Sequence, residues 1–416
     1  MKVLFKNAKV YTDGSARVQD MLLDGAVLSP FAHDTAMVDF PVVENVAVFP
    51  GFCDVHVHLR EPGFSYKENI ASGTRASARG GYTAVCSMPN LKPTPDSPEN
   101  LAPQLEAIAK DAVIAVYPYG TITVGEAGEV LSDMVGMADD VVAFSDDGRG
   151  VQSEGMMLEA MRRAKALGKM IVAHCEDNSL LKGGYIHDGE YCAAHGHKGI
   201  CSESEWGPIA RDIELVRKSG CAYHVCHIST KESVDIIRRA KARGVNITCE
   251  TGPHYLTLDD SDLKEDGRFK MNPPIRAKED RLALVEGLLD GTIDMIATDH
   301  APHTAEEKSR GLPGSLMGVV GIETAFAVLY TDLVLSGVLT LERLIELLSK
   351  NPRERFKINS DAGFTVFDLD NEYVIDPGEF LSMGKATPFE GKRVKGRCLM
   401  TVYNGEVVYS ALSAEN

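Results

Sequence analysis

The chain has 416 residues, enough for one large catalytic domain and a smaller second unit. Apolar residues make up 44% of it and charged residues 25%, as in globular proteins that bury a large core. Its 60 acidic and 43 basic residues give a formal net charge of −17, which argues against a nucleic-acid-binding surface. A local pair of cations can still bind a small anion.

The sequence contains no segment of the kind that targets or anchors a chain to a membrane. The start, MKVLFKNAKVY, alternates like a strand, and no apolar run reaches the roughly 20 residues of a membrane helix. The nine cysteines have no regular spacing, which favours reduced thiols. We therefore expect a cytoplasmic protein with no membrane partner.

The two chain ends differ from the middle of the sequence. The first 50 residues contain three strand-like runs: MKVLFKNAKVY, MLLDGAVLS and VENVAVFP. The last 55 residues contain three more: GFTVFDLD, KGRCLMTVYN and GEVVYS. Neither end makes a domain alone, so residues 1–50 and 361–416 are predicted to pair into one small β-sandwich beside a domain of residues 51–360.

Between about residue 50 and residue 300, β-branched apolar runs alternate with helix-like segments. Eight runs end in polar residues: FPGFCDVHVHLR, YTAVCSMPN, AVIAVYPYG, VVAFSDDG, MIVAHCED, AYHVCHIS, NITCETGPH and DMIATDHAPH. Five of the seven intervals between their polar ends span 25–32 residues, as in βα units, and intervals of 53 and 47 residues require insertions. The pattern predicts an α/β fold, a closed (β/α)8 TIM-like barrel.

A doubly wound open sheet is the alternative arrangement of the same elements. It would place a glycine-rich phosphate-binding turn after an early strand. The first turn here reads LREPGFSY, so the barrel is favoured.

Two histidines, His56 and His58, end the first run two positions apart, so strand alternation directs both side chains to one side. The same alternation selects four more side chains at the ends of later runs, namely Asp147, His174, His227 and Asp299. Asp146 remains the alternative to Asp147, and His224 is expected to face the surrounding helices.

Because functional residues gather at the carboxyl ends of barrel strands, these six side chains are expected to meet. Imidazoles and carboxylates suit Zn²⁺ or a similar divalent ion. Six ligands exceed the needs of one tetrahedral ion, so we expect one or two Zn²⁺ per chain. Such an ion activates water and polarises an amide carbonyl, which predicts metal-dependent hydrolysis.

The chain resembles the amidohydrolase superfamily, and specifically the type I dihydroorotases, over nearly its whole length. HLREPG and KMNPPIR extend the likeness beyond the shared metal site. The resemblance implies reversible hydrolysis of L-dihydroorotate to N-carbamoyl-L-aspartate in pyrimidine biosynthesis, and a possible homodimer. Seven motifs carry it: GFCDVHVHLREPG, SMPN, FSDDG, AHCED, CHIST, KMNPPIR and ATDHAPH.

The resemblance also implies a role for each matching residue. Asp299 would be the general acid and base. One zinc would be held by His56, His58 and Asp299, and a second by His174 and His227, with Asp147 bridging both. The substrate would be bound by His58, Arg60, Asn90, Asn272, His303, Met317 and Gly318, of which Arg60, Asn90 and His303 would take the carboxylate.

One segment, HTAEEKSRGLPGSLMGVVGIET, departs from the family pattern. Relatives usually have Pro-Phe-Gly where this chain reads SLMG, so Met317 and Gly318 occupy the positions of expected backbone contacts to the ring. We hypothesise that this loop becomes ordered over bound substrate.

Other cyclic-amide hydrolases, such as hydantoinases and allantoinases, are the nearest alternative. They bridge their metals with a carboxylated lysine at the end of the fourth strand. No lysine occurs here between Lys110 and Lys165, which favours the dihydroorotase branch. A non-catalytic scaffold barrel is a further alternative, but such relatives lose metal ligands, whereas all six positions are filled here.

The remaining candidates also have simpler structural interpretations. Arg60 would otherwise form a salt bridge at the barrel rim, but its parity with His58 favours substrate binding. Asn90 and Asn272 would otherwise be turn formers. The histidine- and cysteine-containing stretch HDGEYCAAHGHKGICS is interpreted as a surface insertion in preference to a structural zinc site.

Overall fold

The structure is a computed structural model that describes residues 1–12, 15–31, 40–359 and 363–412. The predicted domain boundary between residues 360 and 361 lies outside the described residues. Within the described ranges, no helix is long and apolar enough to cross a membrane.

The two chain ends join in one eight-stranded sheet. Five strands come from the start of the chain: β1 (Lys2–Thr12), β2 (Ser15–Asp24), β3 (Val27–Pro30), β4 (Val42–Glu44) and β5 (Ala47–Pro50). The sheet is continuous because β5 pairs antiparallel with the first of the C-terminal strands, Phe49 lying opposite Thr365.

Seven parallel strands and one further position, held by isolated bridges, form a closed barrel. The first four barrel strands are β6 (Phe52–Val57), β7 (Tyr82–Ser87), β8 (Ala115–Pro118) and β9 (Met170–Ala173). The next two strands of the chain, β10 (Ile186–His187) and β11 (Gly199–Ile200), form a separate pair outside the barrel. The last three barrel strands are β12 (Ala222–Val225), β13 (Ile247–Thr251) and β14 (Met295–Ile296). Phe144 supplies the fourth position through parallel bridges to Gly120 and Ile171, and a bridge from Val57 to His300 closes the ring. The predicted (β/α)8 barrel is thus confirmed.

The C-terminal strands of the sheet are β15 (Gly363–Val374), β16 (Arg393–Tyr403) and β17 (Glu406–Ser410). Fourteen α-helices lie among the described residues: α1 (Ile70–Arg79), α2 (Pro98–Asp111), α3 (Met134–Met137), α4 (Glu154–Ala166), α5 (Glu190–His195), α6 (Glu203–Ser219), α7 (Lys231–Ala242), α8 (Pro253–Thr257), α9 (Lys278–Asp290), α10 (Ala305–Lys308), α11 (Gly311–Gly314), α12 (Ala325–Leu329), α13 (Leu341–Ile345) and α14 (Asn351–Phe356).

Polar caps start the helices that follow the barrel strands. Ser97, Ser153 and Thr230 each accept a backbone N–H at the start of α2, α4 and α7. Small and medium side chains fill the barrel interior, among them Cys53, Val55, Ala84, Cys86 and Val172. The outer faces of the strands pack against the helices, so the carboxyl ends remain free to carry polar groups.

The two long sequence intervals hold the expected insertions. The first, after β9, contains β10, α5, β11 and the start of α6. The second, after β13, contains α8 and the segment that carries Asn272.

Candidate functional site

The structure brings the six predicted ligands together, all of them buried, at the carboxyl ends of the barrel strands. Nε2 of His56 lies 3.4 Å from Oδ1 of Asp147 and 3.5 Å from Oδ1 of Asp299. Nε2 of His58 lies 3.1 Å from the same oxygen of Asp299. Among the described residues, three overlapping groups have possible ligand atoms within 4.8 Å of one another: His56, His58 and Asp299; His56, Asp147 and His227; and His56, Cys226 and Glu250.

The first barrel strand, β6, departs from regular alternation just before His56 and His58. Val55 packs in the cluster inside the barrel, and the register of β6 against β7 is irregular between Asp54 and Val57. Such a bulge lets two successive side chains, here Val55 and His56, point to the same side. His56 and His58 do point to the same side, as alternation predicts. They face the centre, however, only because of this register irregularity.

His224 does not face the helices, so its predicted direction is wrong. Its Nε2 lies 3.0 Å from Oε2 of Glu250, whose other oxygen contacts His56. Cys226, two positions on, packs in the interior cluster. His227 reaches the centre because its backbone takes a φ of 30°, which regular strand alternation does not anticipate.

Hydrogen bonds fix which ring nitrogen of each histidine faces the centre. Nδ1–H of His56 donates to Oε1 of Glu250 at 2.8 Å, and Nδ1–H of His58 donates to Oδ1 of Asn90 at 2.9 Å. The Nε2 lone pairs therefore face carboxylate oxygens, which are also acceptors. Nε2 of His56 and Oδ1 of Asp147 are buried without a hydrogen-bond partner among the described residues. A cation between these acceptors satisfies them, so the donor set fits a metal ion.

The electrostatics of the centre lead to the same inference. Burial lowers the pKa of His56, but Asp147 and Asp299 outweigh burial and hold that pKa well above its usual value. Burial raises the pKa of Asp299, but His56 and His58 outweigh it and hold that pKa below its usual range. A place that attracts a proton this strongly also attracts a divalent cation, which would displace the proton.

His174 and His227 form the second half of the centre. Nδ1 of His174 lies 2.9 Å from Nε2 of His227, and these nitrogens lie 3.7 and 3.6 Å from Oδ1 of Asp147. Asp147 therefore touches both halves. Its neighbour Asp146 is turned away, because its carboxylate accepts the backbone N–H groups of Ile122 and Thr123.

Glu250 is a functional candidate that strand alternation alone did not identify. It is fully buried on β13 and accepts hydrogen bonds from both His56 and His224. Burial raises its carboxyl pKa, but these two hydrogen bonds outweigh burial and lower the pKa to about 2. The sequence signal was present: an acidic residue inside the apolar run NITCETGPH is costly unless it is paired.

A cavity of about 210 Å³ opens beside the centre. Nε–H of Arg60 donates to the Pro302 carbonyl at 3.2 Å, and its Nη2 lies 3.5 Å from Nε2 of His303. Nδ2 of Asn272 donates to Oε1 of Glu176 at 2.8 Å. Seven predicted substrate residues line the cavity: His58, Arg60, Asn90, Asn272, His303, Met317 and Gly318.

One ammonium group organises the backbone of the wall formed by Met317 and Gly318. Nζ of Lys308 donates to the carbonyls of Lys270, Leu316 and Gly318 at 2.9, 2.8 and 2.7 Å. The amide of Gly318 donates to the Lys270 carbonyl at 3.1 Å. Gly318 has a φ of +128°, and a Cβ there would lie 2.8 Å from the Ala301 carbonyl oxygen, so only glycine fits.

Sequence comparison places the chain among dihydroorotases. A sequence model of the dihydro-orotase-like family matches residues 46–233. A dihydroorotase of Fusobacterium nucleatum is 49% identical over 417 residues, which cover 98% of this chain and 98% of that protein. A dihydroorotase of Anoxybacillus flavithermus is 48% identical, covering 98% of this chain and 99% of its own length.

Solved structures share the architecture at lower identity. An L-hydantoinase (dihydropyrimidinase) from Arthrobacter aurescens superposes with a TM-score of 0.84 at 25% identity, covering 100% of this chain and 97% of that one. A dihydropyrimidinase from Brevibacillus agri superposes with a TM-score of 0.82 at 23% identity, covering 99% and 95%. From the sequence identities over nearly its full length, the chain belongs to the dihydroorotase family of cyclic-amide hydrolases.

Proposed function

We propose that this protein is a zinc-dependent dihydroorotase that interconverts L-dihydroorotate and N-carbamoyl-L-aspartate in pyrimidine biosynthesis. One observation carries the proposal: four histidines and two carboxylates meet at the barrel mouth, beside a cavity with Arg60 and His303 on its wall. A hydrolytic centre formed by these residues would lie next to groups suited to recognise an anion, which supports the proposal.

The residues that would hold metal follow from the donor set. His56, His58 and Asp299 would hold one Zn²⁺, His174 and His227 a second, and Asp147 would bridge them. Zinc supplies a Lewis acid and lowers the pKa of water at the site. The hydrogen bonds from Nδ1–H of His56 and His58, which leave Nε2 of each ring for the metal, support this assignment.

The other residues would bind, orient and transfer protons. Asp299 would accept a proton from the attacking water and deliver it to the ring nitrogen that leaves when the amide bond breaks. Arg60, Asn90 and His303 would bind the substrate carboxylate. Asn272 and the backbone of Met317 and Gly318 would contact the ring. Because the Gly318 amide already bonds to Lys270, substrate contact there requires an exchange of hydrogen bonds.

A substrate comparison tests the function. Dihydroorotate, allantoin, hydantoin and dihydrouracil are offered in parallel to the zinc-loaded protein. We expect turnover of dihydroorotate alone at a substantial rate, since only it carries a carboxylate on the ring for Arg60. Preferred turnover of hydantoin or dihydrouracil would instead assign the hydantoinase activity named for the structural relatives.

Partners and location belong to the same proposal. The acidic overall charge and the small cavity support a small-molecule substrate and no nucleic-acid partner. A homodimer in the cytoplasm is our expectation, tested by light scattering and by cell fractionation.

A further inference from the structure

Besides Arg60, a second buried cation, Lys67, lies behind the part of the cavity where Arg60 and His303 would bind the substrate carboxylate. The Lys67 side chain is only 10% exposed, and its Nζ lies 2.9 Å from Oε1 of Glu307 and 3.3 Å from Nδ1 of His303. The rings of Phe64 and Tyr66 flank the ammonium, each with its centroid 5.6 Å away. Lys67 does not line the cavity, whereas His303, which it contacts, does.

The contacts of His303 define where its proton lies. Nε2 is 2.7 Å from the Met317 carbonyl oxygen, which can only accept, so Nε2 carries the hydrogen. Nδ1 is then the acceptor that faces the Lys67 ammonium. Burial, helped by Arg60 and Lys67, lowers the pKa of His303 to about 3, so the ring is neutral at neutral pH and has one proton to place.

A neighbouring carboxylate favours the opposite arrangement. Oε2 of Glu307 lies 3.6 Å from Nδ1 of His303, and a carboxylate there would attract the proton to Nδ1. Nε2 would then present a lone pair to the cavity and repel an anionic substrate. Lys67 opposes this in two ways, because it neutralises Glu307 and donates to Nδ1 itself.

We propose that Lys67 is a positioning residue that keeps the proton of His303 on Nε2. There it donates to the Met317 carbonyl, and substrate binding would exchange that carbonyl for the substrate carboxylate. The inference rests on the proposed function, in which Arg60 and His303 bind that carboxylate. Nη2 of Arg60 and Nε2 of His303 lie 3.5 Å apart, a spacing at which two donors can reach one carboxylate group.

The first test reads the tautomer directly and needs no activity. The protein is labelled with ¹⁵N-histidine, and the signals of His303 are assigned by their loss in His303→Gln. We expect a protonated Nε2 and a bare Nδ1 in the unsubstituted protein, and a proton shifted to Nδ1 in Lys67→Met. An unchanged tautomer in Lys67→Met overturns the proposal. Lys67→Met/Glu307→Gln, which removes the charge pair together, should restore the proton to Nε2.

The second test separates carboxylate recognition from general damage. In Lys67→Met, we expect the KM for dihydroorotate to rise about tenfold while kcat changes less than about threefold. The inhibition constant of the uncharged amide of dihydroorotate should stay within about twofold, and Lys67→Arg should restore much of the KM. Lys110→Met, at an exposed position, is the matched control. Equal losses for both ligands would overturn the role, whereas absent dihydroorotate turnover in the unsubstituted protein would refute the proposed function and leave the NMR test intact.

Discussion

Asp299 combines a position at the centre of the site with an uncommon backbone conformation. It contacts His56 and His58 at the centre, and its backbone takes a φ of 46°, a conformation that is uncommon outside glycine. Strain of this kind persists only where the surrounding structure enforces it. The hydrogen bonds from Thr298 to Asp54, one residue earlier, are part of that enforcement.

Substitution Asp299→Ala should abolish turnover while the protein remains folded. Loss of a proton-transferring group alone costs about 10²–10⁴-fold in kcat, and loss of a metal ligand adds to this. Initial rates, circular dichroism and metal content measured on the same preparation check the expectation. Rates like those of the unsubstituted protein would refute the role of Asp299.

Glu250 gives a second prediction for a single residue. Its carboxylate orients His56 and His224, so Glu250→Gln should weaken metal affinity by about 10–100-fold, as is typical for a group that orients a metal ligand. Zinc titration against a competing chelator measures the affinity. Glu323→Gln, a buried carboxyl that binds the amides of Leu381 and Ser382, is the control and should leave affinity unchanged. Equal affinities in both variants would show that Glu250 is not needed to orient His56.

At the scale of elements, the loop that follows the last barrel strand, β14, depends on one buried lysine, Lys308. Lys308 joins the KMNPPIR segment, through the Lys270 carbonyl, to the cavity wall at Leu316 and Gly318. The short helix α10 thus sets the distance between two segments that the proposed function assigns to the substrate.

Substitution Lys308→Met should loosen this loop. It leaves buried carbonyls without their donor and should cost roughly 1–3 kcal/mol of unfolding free energy. We expect faster proteolysis within residues 311–318 and a raised KM, and Lys110→Met as control should change neither. In the unsubstituted protein, substrate should slow cleavage of the loop, and equal cleavage with and without substrate would contradict its ordering over the ligand.

Strand alternation predicted the site's membership better than its local geometry. It selected six side chains that do meet, because the carboxyl ends of parallel strands share one rim. It misplaced His224, because His227 reaches the centre through a positive φ that a two-residue period does not encode. The register irregularity on β6 beside His56 is not encoded by that period either. Such features arise from tertiary packing, so no local sequence pattern predicts them.

At the scale of the whole molecule, the centre holds several hydrogen-bond acceptors close together among buried residues. Removal of metal should therefore abolish activity and lower the melting temperature, with a loss of about 2.7–4.1 kcal/mol for ion held at 100–1,000 times its Kd. Elemental analysis, activity and thermal unfolding before and after chelation check this, and readdition of Zn²⁺ should restore all three. Activity that survives exhaustive chelation would sink the metal-dependent mechanism.

The overall architecture was predictable because the βα period is long and repeated. The eight βα units implied that the barrel closes. They did not predict that it closes through a bridge from Val57 to His300. The pairing of the chain ends was predicted as a β-sandwich, and the described strands form one continuous sheet. Which strand of one end meets which of the other depends on side chains distant in sequence, so composition could not fix it.

That sheet has a consequence for how the chain is made. Strand β5 gains its β15 partner only after about 300 further residues have been synthesised, since Phe49 pairs with Thr365. At roughly 5–20 residues per second, this edge stays open for about 15–60 s on the ribosome. Apolar side chains such as Val48 and Phe49, which are buried in the folded protein, lack this covering strand during that interval. The nascent chain is therefore a candidate client for a ribosome-associated chaperone.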